Sequence, residues 1–559
     1  MKLKSLNSKN NNKFLINSLY RKNKVFTILM SLIIFLIILG LIIWLYFLYT
    51  ENDYQFKGVF KEGLIQQPIN INPLTPQNDT DKSLSQLIHS GLLKQNKNLE
   101  FEPDLAQSLP ITVKEADYLK ICLKKDISWH NNKKLSIDDV IFTYNKAKKL
   151  DDLNPKLSFV RLLDITKLDN NCLKIKSNLS RNQLYSLLTV GIIPKHIWQE
   201  IDLSEQETDF SIKPVGTGMF QFDSLGRNKN SEIVFYNLKH NKKYYNKKPN
   251  IKNIEFSFYK NLENSHQALK NKEINAFSPH INPIFSLPEH VQNHKFNWNF
   301  YSGLFFNLKN ELFNNQEIRE ALSLLTPKKK ILKENLNYNG LIINGPVLPS
   351  SFFYYPDIEK TNFNIKEAIE ILKRNDWDKN NNGFWEKDDQ IIEFTIKTID
   401  QPVMVEIARS VQEAWQSIGL KVKLITMPTQ RIKTIISEKD FEVVLYGVLT
   451  NYNAGLFSLW HSSDSLNSTL NITNLNNRKI NELLENAVIV TNLNEKKEYY
   501  KNFQKLISEI KPAIFLYNFN YNYLVDKNIK GIGVKAINQP GDRFINIENW
   551  YNEVKRVWR

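Results

Sequence analysis

The chain has 559 residues, of which 42% are hydrophobic and 24% are charged. These proportions are ordinary for a folded soluble body and disfavour disorder except at the start of the chain. The length exceeds what one hydrophobic core usually serves, so we expect at least two lobes after the N-terminal segment. Seven of the sixteen excess positive charges precede residue 25, which leaves about +9 for the rest of the chain. This thinly spread charge does not favour a nucleic-acid partner.

The first element is an uncharged apolar run over residues 25–49. As a helix, it is long enough to cross about 30 Å of hydrocarbon, which predicts a transmembrane segment. Residues 1–24 contain no Asp or Glu, so the positive-inside rule predicts a cytoplasmic basic tail and an extracytoplasmic body. A cleaved signal peptide is the alternative. We favour an uncleaved anchor, because the bulky residues 44–47 stand where a small-residue cleavage site is expected.

The segment DISWHNNKKLSIDDVIFTY begins at Asp126 and predicts a strand end, a turn and a helix. Ser136 is the expected N-cap, with Asp138 and Asp139 in the first turn, where the helix dipole favours acidic side chains. Trp129 and His130 precede the turn. Because His130 has no metal ligand near it at a suitable spacing, we expect it to pack rather than to react.

Two cysteines, Cys122 and Cys172, lie in segments with strand-like alternation. In an oxidising exterior they can form a disulfide, which would stabilise the fold by roughly 4 kcal/mol in the chain-entropy model. Two buried free thiols are the alternative, and the spacing does not decide between them.

Strands and amphipathic helices alternate along the rest of the chain, which is typical of an α/β fold. NIKEAIEILKRN and VEIARSVQEAWQSI predict helices, and Gly419 ends the second helix before the strand KVKLITM. His290 and His294 are spaced to share one helix face, but they offer two metal ligands at most.

The segment DKNNNGFWEKDD resembles a calcium-binding loop. Asp378, Asn380, Asn382 and Asp389 occupy ligand positions, and Gly383 occupies the sharp turn. Asp389 replaces the usual bidentate Glu, and a strand follows rather than a second helix. We therefore expect weak calcium binding at most, with a hairpin turn as the alternative and no cofactor required.

Familiar enzyme motifs are missing from the sequence: it contains no G-x-S-x-G, HExxH, Walker A or C-x-x-C pattern. VGTGMF, at residues 215–220, lacks the third glycine of a dinucleotide-binding loop. We therefore predict that the chain is not an enzyme.

Nine segments in order resemble one family. They are ININPL with LSQLIHSGLL, FEPDLAQSL, LKKDISWHNNKKLSIDDVIFTY, PVGTGMFQF, HNKKYYNKKPNIKNIEFSFY, LFFNLKNELFNNQEIREALSLL, NIKEAIEILKRNDW, QSIGLKVKLI with FEVVLYGV, and AIFLYNFNYNYLV. Each is weakly specific alone, but the series covers about 450 residues. The chain resembles the family 5 extracellular solute-binding proteins of ABC transporters, the dipeptide- and oligopeptide-binding group.

The resemblance implies an α/β, two-lobed periplasmic-binding-protein-like fold of type II, in the large cluster with an extra subdomain, after the N-terminal transmembrane helix. Lobe I would comprise residues 51–300 with 515–559, including an inserted subdomain at 80–210, and lobe II would comprise residues 301–514. The lobes would close over a ligand about a hinge.

The resemblance also implies ligand-binding residues. In peptide-binding members, an acidic residue after the strand that resembles FEVVLYG pairs with the ammonium group of the ligand. Asn451 stands at that position here and is neutral, which argues against recognition of a free peptide N-terminus. Gln67, Pro68, Gly447, Val448 and Asn451 are the expected cleft residues.

The function implied is capture of a peptide or similar solute by a membrane-anchored monomer, which delivers it to the membrane subunits of an ABC permease. The alternative is an envelope sensor or assembly protein that uses the same fold without transport. The cytoplasmic tail of 24 residues is too short for a kinase or DNA-binding domain, which disfavours the sensor.

Overall fold

The computed structural model describes residues 29–113, 117–150, 157, 159–179, 181–203, 209–281, 286–450, 454–462, 471–490 and 492–558. The chain forms two compact units. The first unit ends at Lys57 and also includes the chain from Tyr551 onward. The second unit, Gly58–Trp550, contains the residues of the predicted lobes between these points.

The first unit joins the apolar helix to the C-terminal strand. Helix α1 (Leu29–Tyr49) has no buried residue in its most apolar window, and it is long and apolar enough to cross a membrane. Strand β1 (Thr50–Gln55) follows it directly and pairs antiparallel with β23 (Glu553–Trp558). We call this two-stranded sheet the ribbon.

The second unit is built on a twelve-stranded sheet. Its strands are β2 (Phe60–Leu64), β9 (Phe220–Arg227), β10 (Ile233–His240), β11 (Asn253–Phe258), β12 (Ala276–His280), β13 (Val291–Phe306), β14 (Leu341–Ile342), β18 (Glu393–Ile399), β19 (Lys421–Met427), β20 (Val443–Leu449), β21 (Ala513–Asp526) and β22 (Ala536–Ile537). The order is β19-β18-β20-β13-β21-β12-β2-β11-β10-β9, with β14 beside β21 and β22 beside β13.

The long strands β13 and β21 lie between two halves of this sheet. One half contains β18, β19 and β20, and the other contains β2, β9, β10, β11 and β12. Residues 291–297 of β13 pair with residues 520–526 of β21, and residues 301–305 pair with residues 513–518. The register shifts between Asn297 and Tyr301, so the ladder is interrupted where one half gives way to the other. This interruption lies at the predicted lobe boundary, and the division into lobes stays a prediction.

Helices cover the strands. They are α2 (Asp79–Ile88), α7 (Leu262–Lys270), α8 (Glu311–Asn314), α9 (Gln316–Leu324), α10 (Lys328–Glu334), α11 (Ile365–Arg374), α12 (Pro402–Gln416), α13 (Thr429–Glu438), α14 (Ala454–Trp460), α15 (Arg478–Ile489) and α16 (Leu493–Ile510). In α12 the buried residues Met404, Ile407, Val411 and Trp415 recur every three or four positions. Gly419 follows with φ +97°, and a Cβ there would overlap the carbonyl oxygen of Gly383, so only glycine fits before β19. This helix-to-strand step confirms the prediction.

The predicted inserted segment has its own core and a four-stranded sheet. Its elements are β3 (Leu93–Gln95), β4 (Phe101–Pro103), β5 (Ile111–Val113), β6 (Tyr118–Cys122), α3 (Ile137–Ala147), β7 (Leu163–Lys167), β8 (Cys172–Ser177), α4 (Arg181–Leu188), α5 (Lys195–Trp198) and α6 (Asp209–Ile212), with a 3₁₀ turn at Val160–Leu162. Cys122 and Cys172 lie opposite each other on β6 and β8 and form a disulfide, which decides between the two alternatives.

Helix α3 begins as its sequence predicts. The side-chain oxygen of Ser136 accepts a hydrogen bond from the Asp139 amide, and the Asp139 carboxylate accepts one from the Ser136 amide. Trp129 is buried beneath this turn. His130 accepts a hydrogen bond at Nδ1 from the Gly216 amide, and its Nε2 lies 3.1 Å from the Gly218 oxygen. Burial lowers the pKa of His130 to about 4, so the ring is neutral and structural.

The expectation that His290 and His294 share a helix face is wrong. β13 begins at Val291, so His294 lies in a strand whose side chains alternate between two faces. A four-residue spacing fits a helix, but the pairing of β13 with β21 determines the conformation here.

A buried ion pair ties the C-terminal segment to β2. Arg543, in the 3₁₀ helix Pro540–Phe544, donates from Nη2 and Nε to Glu62 Oε1 at 2.6 and 2.8 Å, and both side chains are at most 1% exposed. Tyr523 donates to Glu62 Oε2 at 2.7 Å, and Arg543 donates to Ser83 Oγ at 2.9 Å. Burial alone would lower the pKa of Arg543, but Glu62 raises it overall. We call these four residues the ion-pair cluster.

Candidate functional site

The two connecting strands carry the same sequence pattern. In β13, Phe296, Trp298 and Phe300 alternate with Asn297 and Asn299, and in β21 four aromatic residues alternate with Asn518, Asn520 and Asn522. Because a strand has a period of two, each strand has an asparagine side and an aromatic side. Phe296 pairs with Tyr521 and Asn297 with Asn520, so the two patterns are in register.

Asn518 holds the interruption between the two halves. Its Nδ2 donates to the carbonyl oxygens of Trp298 and Phe300 at 2.7 and 2.8 Å. These two carbonyls belong to the part of β13 where the register of the ladder shifts. A single buried amide therefore replaces the interrupted pairing.

Asn299 and Asn538 extend this network to the neighbouring strands. Asn299 Nδ2 donates to Asn538 Oδ1 at 2.8 Å, and Trp298 Nε1 donates to the Asn538 carbonyl at 3.3 Å. The Asn299 carbonyl accepts a hydrogen bond from the Thr450 amide at 2.8 Å, just past the end of β20. A backbone hydrogen bond thus joins β13 to the residue after β20, and side-chain hydrogen bonds join β13 to the residue that follows β22.

On the aromatic side of β13, the rings of Trp298 and Phe300 stack, and the Phe300 ring lies over Gly447. The rings of Trp298 and Phe300 lie 4.6 Å apart at an angle of 24°. A Cβ on Gly447 would overlap the ring of Phe300, so the ring occupies the space that the missing side chain leaves. We call the set Trp298, Asn299, Phe300, Gly447, Asn518 and Asn538 the strand junction.

No residue of the strand junction is ionisable. Both Nδ2 hydrogens of Asn518 are used within the protein, so the groups that a solute could reach are the partly exposed side chains of Asn299 and Phe300. Such groups can bind a polar or planar solute noncovalently, and they supply no nucleophile or general base.

The structure places the predicted cleft residues in both halves. Gly447 and Val448 lie in β20, opposite Ser302 and Tyr301. Val448 is 5% exposed, so its side chain packs in the core. Asn451 lies outside the described residues.

Gln67 and Pro68 follow β2, which is separated from β20 by three strands in the sheet order. Gln67 Oε1 accepts a hydrogen bond from the Ile233 amide at 2.8 Å, and the Gln67 carbonyl accepts one from Asn78. The loop is therefore held by β10 and by the cap of α2. The assignment of these residues to a ligand site stays a prediction.

The predicted calcium loop forms a hairpin. Its strands are β15 (Asp378–Lys379), β16 (Trp385–Lys387) and β17 (Gln390–Ile391). Asn380 Oδ1 accepts hydrogen bonds from the amides of Asn382 and Phe384, and Gly383 has φ +79°. The turn therefore uses one of the proposed ligand oxygens itself.

Asp389 lies in the following turn, between β16 and β17. Within the described ranges, no group of three or more His, Cys, Asp and Glu side chains is arranged to hold a metal ion. Calcium binding by Asp378, Asn380, Asn382 and Asp389 stays an untested prediction.

Comparison with known proteins identifies the family. The model of bacterial extracellular solute-binding proteins, family 5 Middle, matches residues 100–469, which is more than half of the chain. The chain belongs to this family. Members are non-enzymatic solute-binding proteins that act with ABC transporters, so the family predicted from sequence is confirmed, as is its non-enzymatic nature. This solute-binding protein is extracytoplasmic, with an apolar N-terminal helix that serves as signal or anchor.

Relatives of this solute-binding protein share most of its length. The oligopeptide-binding protein AppA of Bacillus subtilis (strain 168) is 26% identical over 517 residues, which cover 89% of this chain and 92% of AppA. The structure of Bacillus subtilis AppA in complex with a nonapeptide superposes with a TM-score of 0.74 at 24% identity, covering 89% of this chain and 99% of that one.

A second solved structure has the same fold. NikZ from Campylobacter jejuni, in complex with Ni(L-His), superposes with a TM-score of 0.74 at 24% identity and covers 88% of this chain and 99% of that one. The predicted periplasmic-binding-protein fold is confirmed.

Sequence reasoning missed Trp298, Asn299, Phe300, Asn518 and Asn538. A signal was present, because asparagine and aromatic residues alternate strictly in FNWNF (residues 296–300) and in YNFNYNY (residues 517–523). Such alternation predicts a strand with one amide side, but it does not show which strands are neighbours.

Proposed function

We propose that this solute-binding protein captures a peptide or peptide-like solute outside the cell and delivers it to an ABC permease, while α1 keeps it in the membrane. The strand junction carries the proposal: the partly exposed side chains of Asn299 and Phe300 place a neutral amide beside an aromatic ring, which suits the alternating amide groups and side chains of a peptide. The complex of AppA with a nonapeptide supports this choice of ligand class.

Retention of α1 is supported by contacts at its end. The Thr50 hydroxyl donates to the Tyr46 carbonyl, and the guanidinium of Arg556 lies 3.9 Å from the ring centre of Phe47. The last turn of the helix is therefore packed by the C-terminal strand, with no extended linker before β1. The bulky residues at the end of α1, where a signal peptide has a small-residue cleavage site, also favour an uncleaved anchor over a removed signal.

The full chain, purified in detergent, tests the ligand class. Mass spectrometry of copurified molecules should identify bound peptides. A thermal-shift screen with a peptide library should identify peptides that raise the melting temperature. A screen in which Ni(L-His) stabilises the protein and no peptide does would overturn the proposal in favour of a metal-chelate ligand. Capture of permease subunits in a pull-down supports transport, whereas recovery of a regulatory membrane protein alone would favour the envelope sensor.

The neutral residue at position 451 gives a sharper test of recognition. We expect peptides with a free and with an acetylated N-terminus to bind with similar affinity, because Asn451 offers no charge to the ammonium group. Asn451→Asp should then favour the free amine by about tenfold or more, the value of one charge-assisted hydrogen bond. A strong preference of the wild-type protein for free amines would show that a carboxylate elsewhere in the protein pairs with the ammonium group of the ligand.

A further inference from the structure

The two faces of the ribbon differ in chemistry. The register pairs Asn52 with Arg556 and Tyr54 with Val554, which places these four residues on one face. We call this the Arg556 face; its Tyr54 ring also lies 4.7 Å from the ring of Tyr551. Tyr54 and Val554 are 44% and 46% exposed, so the face presents apolar surface.

The opposite face is acidic. Glu51 pairs with Val557, Asp53 with Lys555, and Gln55 with Glu553, so this face carries three carboxylates and one ammonium group. Glu553 also binds Lys57 at 2.7 Å. A ribbon in water has no need of two such different faces, whereas a ribbon between water and another phase does.

Arg556 has a charge without a counter-charge in the described part of the chain. No carboxylate there lies within ion-pair distance of it, and its Nε is buried without a hydrogen-bond acceptor. Its guanidinium instead stacks on Phe47 and lies 5.2 Å from the ring centre of Tyr46. An arginine held flat on aromatic rings keeps its remaining donors directed outward for a planar or tetrahedral anion.

The position of Arg556 identifies the anion. Helix α1 has 21 residues and spans about 32 Å, slightly more than about 30 Å of hydrocarbon. Its last turn, with Tyr46 and Phe47, therefore reaches the headgroup level, where aromatic side chains prefer to lie. Arg556 packs on these same rings and so lies at the level of the lipid phosphates.

We propose that the Arg556 face of the ribbon lies on the outer leaflet of the membrane and that Arg556 binds a phospholipid headgroup phosphate. The inference rests on the proposed function in one respect, the retention of α1. The chain would then leave the membrane as a surface-bound ribbon rather than as a free linker, with the acidic face toward water.

Single fluorescent labels on the two faces test this arrangement. The native cysteines form a disulfide, so a label attaches selectively at Val554→Cys on the Arg556 face or, as the matched control, at Lys555→Cys on the acidic face. The full chain is reconstituted in phosphatidylglycerol nanodiscs that contain a nitroxide-labelled lipid. We expect strong quenching at position 554 and weak quenching at position 555. Equal quenching at both positions, or stronger quenching at 555, would overturn the proposal.

Variants of Arg556 test the phosphate contact. Arg556→Ala should lower the ratio of membrane-bound to free ribbon about fivefold, the effect of one basic side chain at an anionic surface. The difference in quenching between the wild-type protein and Arg556→Ala should disappear in nanodiscs of phosphate-free galactolipid. In phosphatidylglycerol nanodiscs it should persist when inorganic phosphate is added. Loss of quenching when inorganic phosphate is added would show that the site binds free phosphate, which contradicts a lipid site. Quenching in Arg556→Ala equal to that in the wild-type protein would also contradict it.

If Arg556→Ala separates the strands, which the emission of the label at position 555 reports, then Arg556→Lys decides the matter, because it must retain most of the quenching. The mass of the protein from cells is measured separately. A shortened N-terminus would contradict the proposed anchor and leave the reconstituted ribbon result intact, whereas an intact N-terminus without the quenching difference would contradict this inference alone.

Discussion

The ion-pair cluster and the strand junction both join parts of the chain that are far apart in sequence, but they use opposite chemistry. Arg543 and Glu62 are 481 residues apart and meet as full charges at about 1% exposure. Asn518 and Trp298 are 220 residues apart and meet through a neutral amide, beside a partly exposed ring. The first place is charged and buried, and the second is neutral and partly exposed at Phe300.

This difference reflects what each place must do. A buried ion pair demands complete pairing, because a charge left without its partner in the interior is expensive, so the cluster holds one arrangement. Neutral amides can exchange one partner for another at a much smaller cost. If the strand junction binds a ligand, as we propose, it must suit both the empty and the loaded protein, and asparagines serve this better than charges do.

The largest expected effect comes from breaking the ion-pair cluster. Arg543→Met leaves Glu62 buried without its counter-charge and should lower the free energy of unfolding by about 3–5 kcal/mol. Urea unfolding of the full chain in detergent, followed by tryptophan fluorescence, measures this loss.

Two controls accompany the Arg543 variant. Arg478→Ala removes an arginine that is 93% exposed in its pair with Glu482, and it should cost at most about 0.5 kcal/mol. Adding Glu62→Gln to Arg543→Met should recover part of the loss. A double variant as unstable as Arg543→Met alone would show that the unpaired charge is not the cause.

His130 is a half-buried ionisable residue whose ring nitrogens face the backbone groups of Gly216 and Gly218. Burial lowers the pKa of His130 from its usual 6.5 to about 4, so the folded protein prefers the neutral ring. Its contribution to stability is present above the unfolded pKa and is lost as the pH falls from 6.5 toward 4. This amounts to about 2 kcal/mol between about pH 7 and pH 5, and to about 3 kcal/mol in full.

His130→Gln should therefore flatten the decline of the unfolding free energy between about pH 7 and pH 5. His240→Gln, at the partly exposed end of β10, makes the same substitution elsewhere and is the matched control with which the slope of His130→Gln is compared. His89 is also buried, with its pKa lowered to about 3 by burial and then by His130, so some of the slope will remain. An undiminished slope in His130→Gln would contradict the assignment.

Local signals in the sequence predicted local structure well. The Ser136 cap, the turn of helix α12 into β19 at Gly419, and the apolar helix α1 all depend on residues a few positions apart. The order of family motifs added the fold, because it reports the whole chain at once.

What could not be predicted depends on pairing over long distances. His290 and His294 suited a helix locally, but β21, more than 200 residues later, makes their segment a strand. The strand junction and the ribbon arise in the same way. The charge and periodicity of one segment predict which of its faces is polar and which is apolar. They do not predict which other segment packs on each face.

A smaller effect is expected from the hydrogen bonds of the strand junction. Asn518→Ala leaves the carbonyls of Trp298 and Phe300 without their donor and should cost about 1–3 kcal/mol. It should also weaken ligand binding, because the interruption in β13 is no longer held. Asn520→Ala, on the same side of β21 and less buried, is the matched control for both measurements. If the two variants bind ligand equally well, the strand junction is a structural feature alone.

The smallest expected loss of stability comes from Gly447→Ala. The new methyl group overlaps the far end of the Phe300 ring, which is partly exposed and can turn away, so the cost should be about 1 kcal/mol. Turning the ring breaks its stack with Trp298 and changes the surface offered to a ligand. We therefore expect the affinity for the copurified ligand, measured by calorimetry, to fall more than the stability does. Gly303→Ala, in the neighbouring β13, is the control; a parallel fall in both variants would mean that the stack does not contact the ligand.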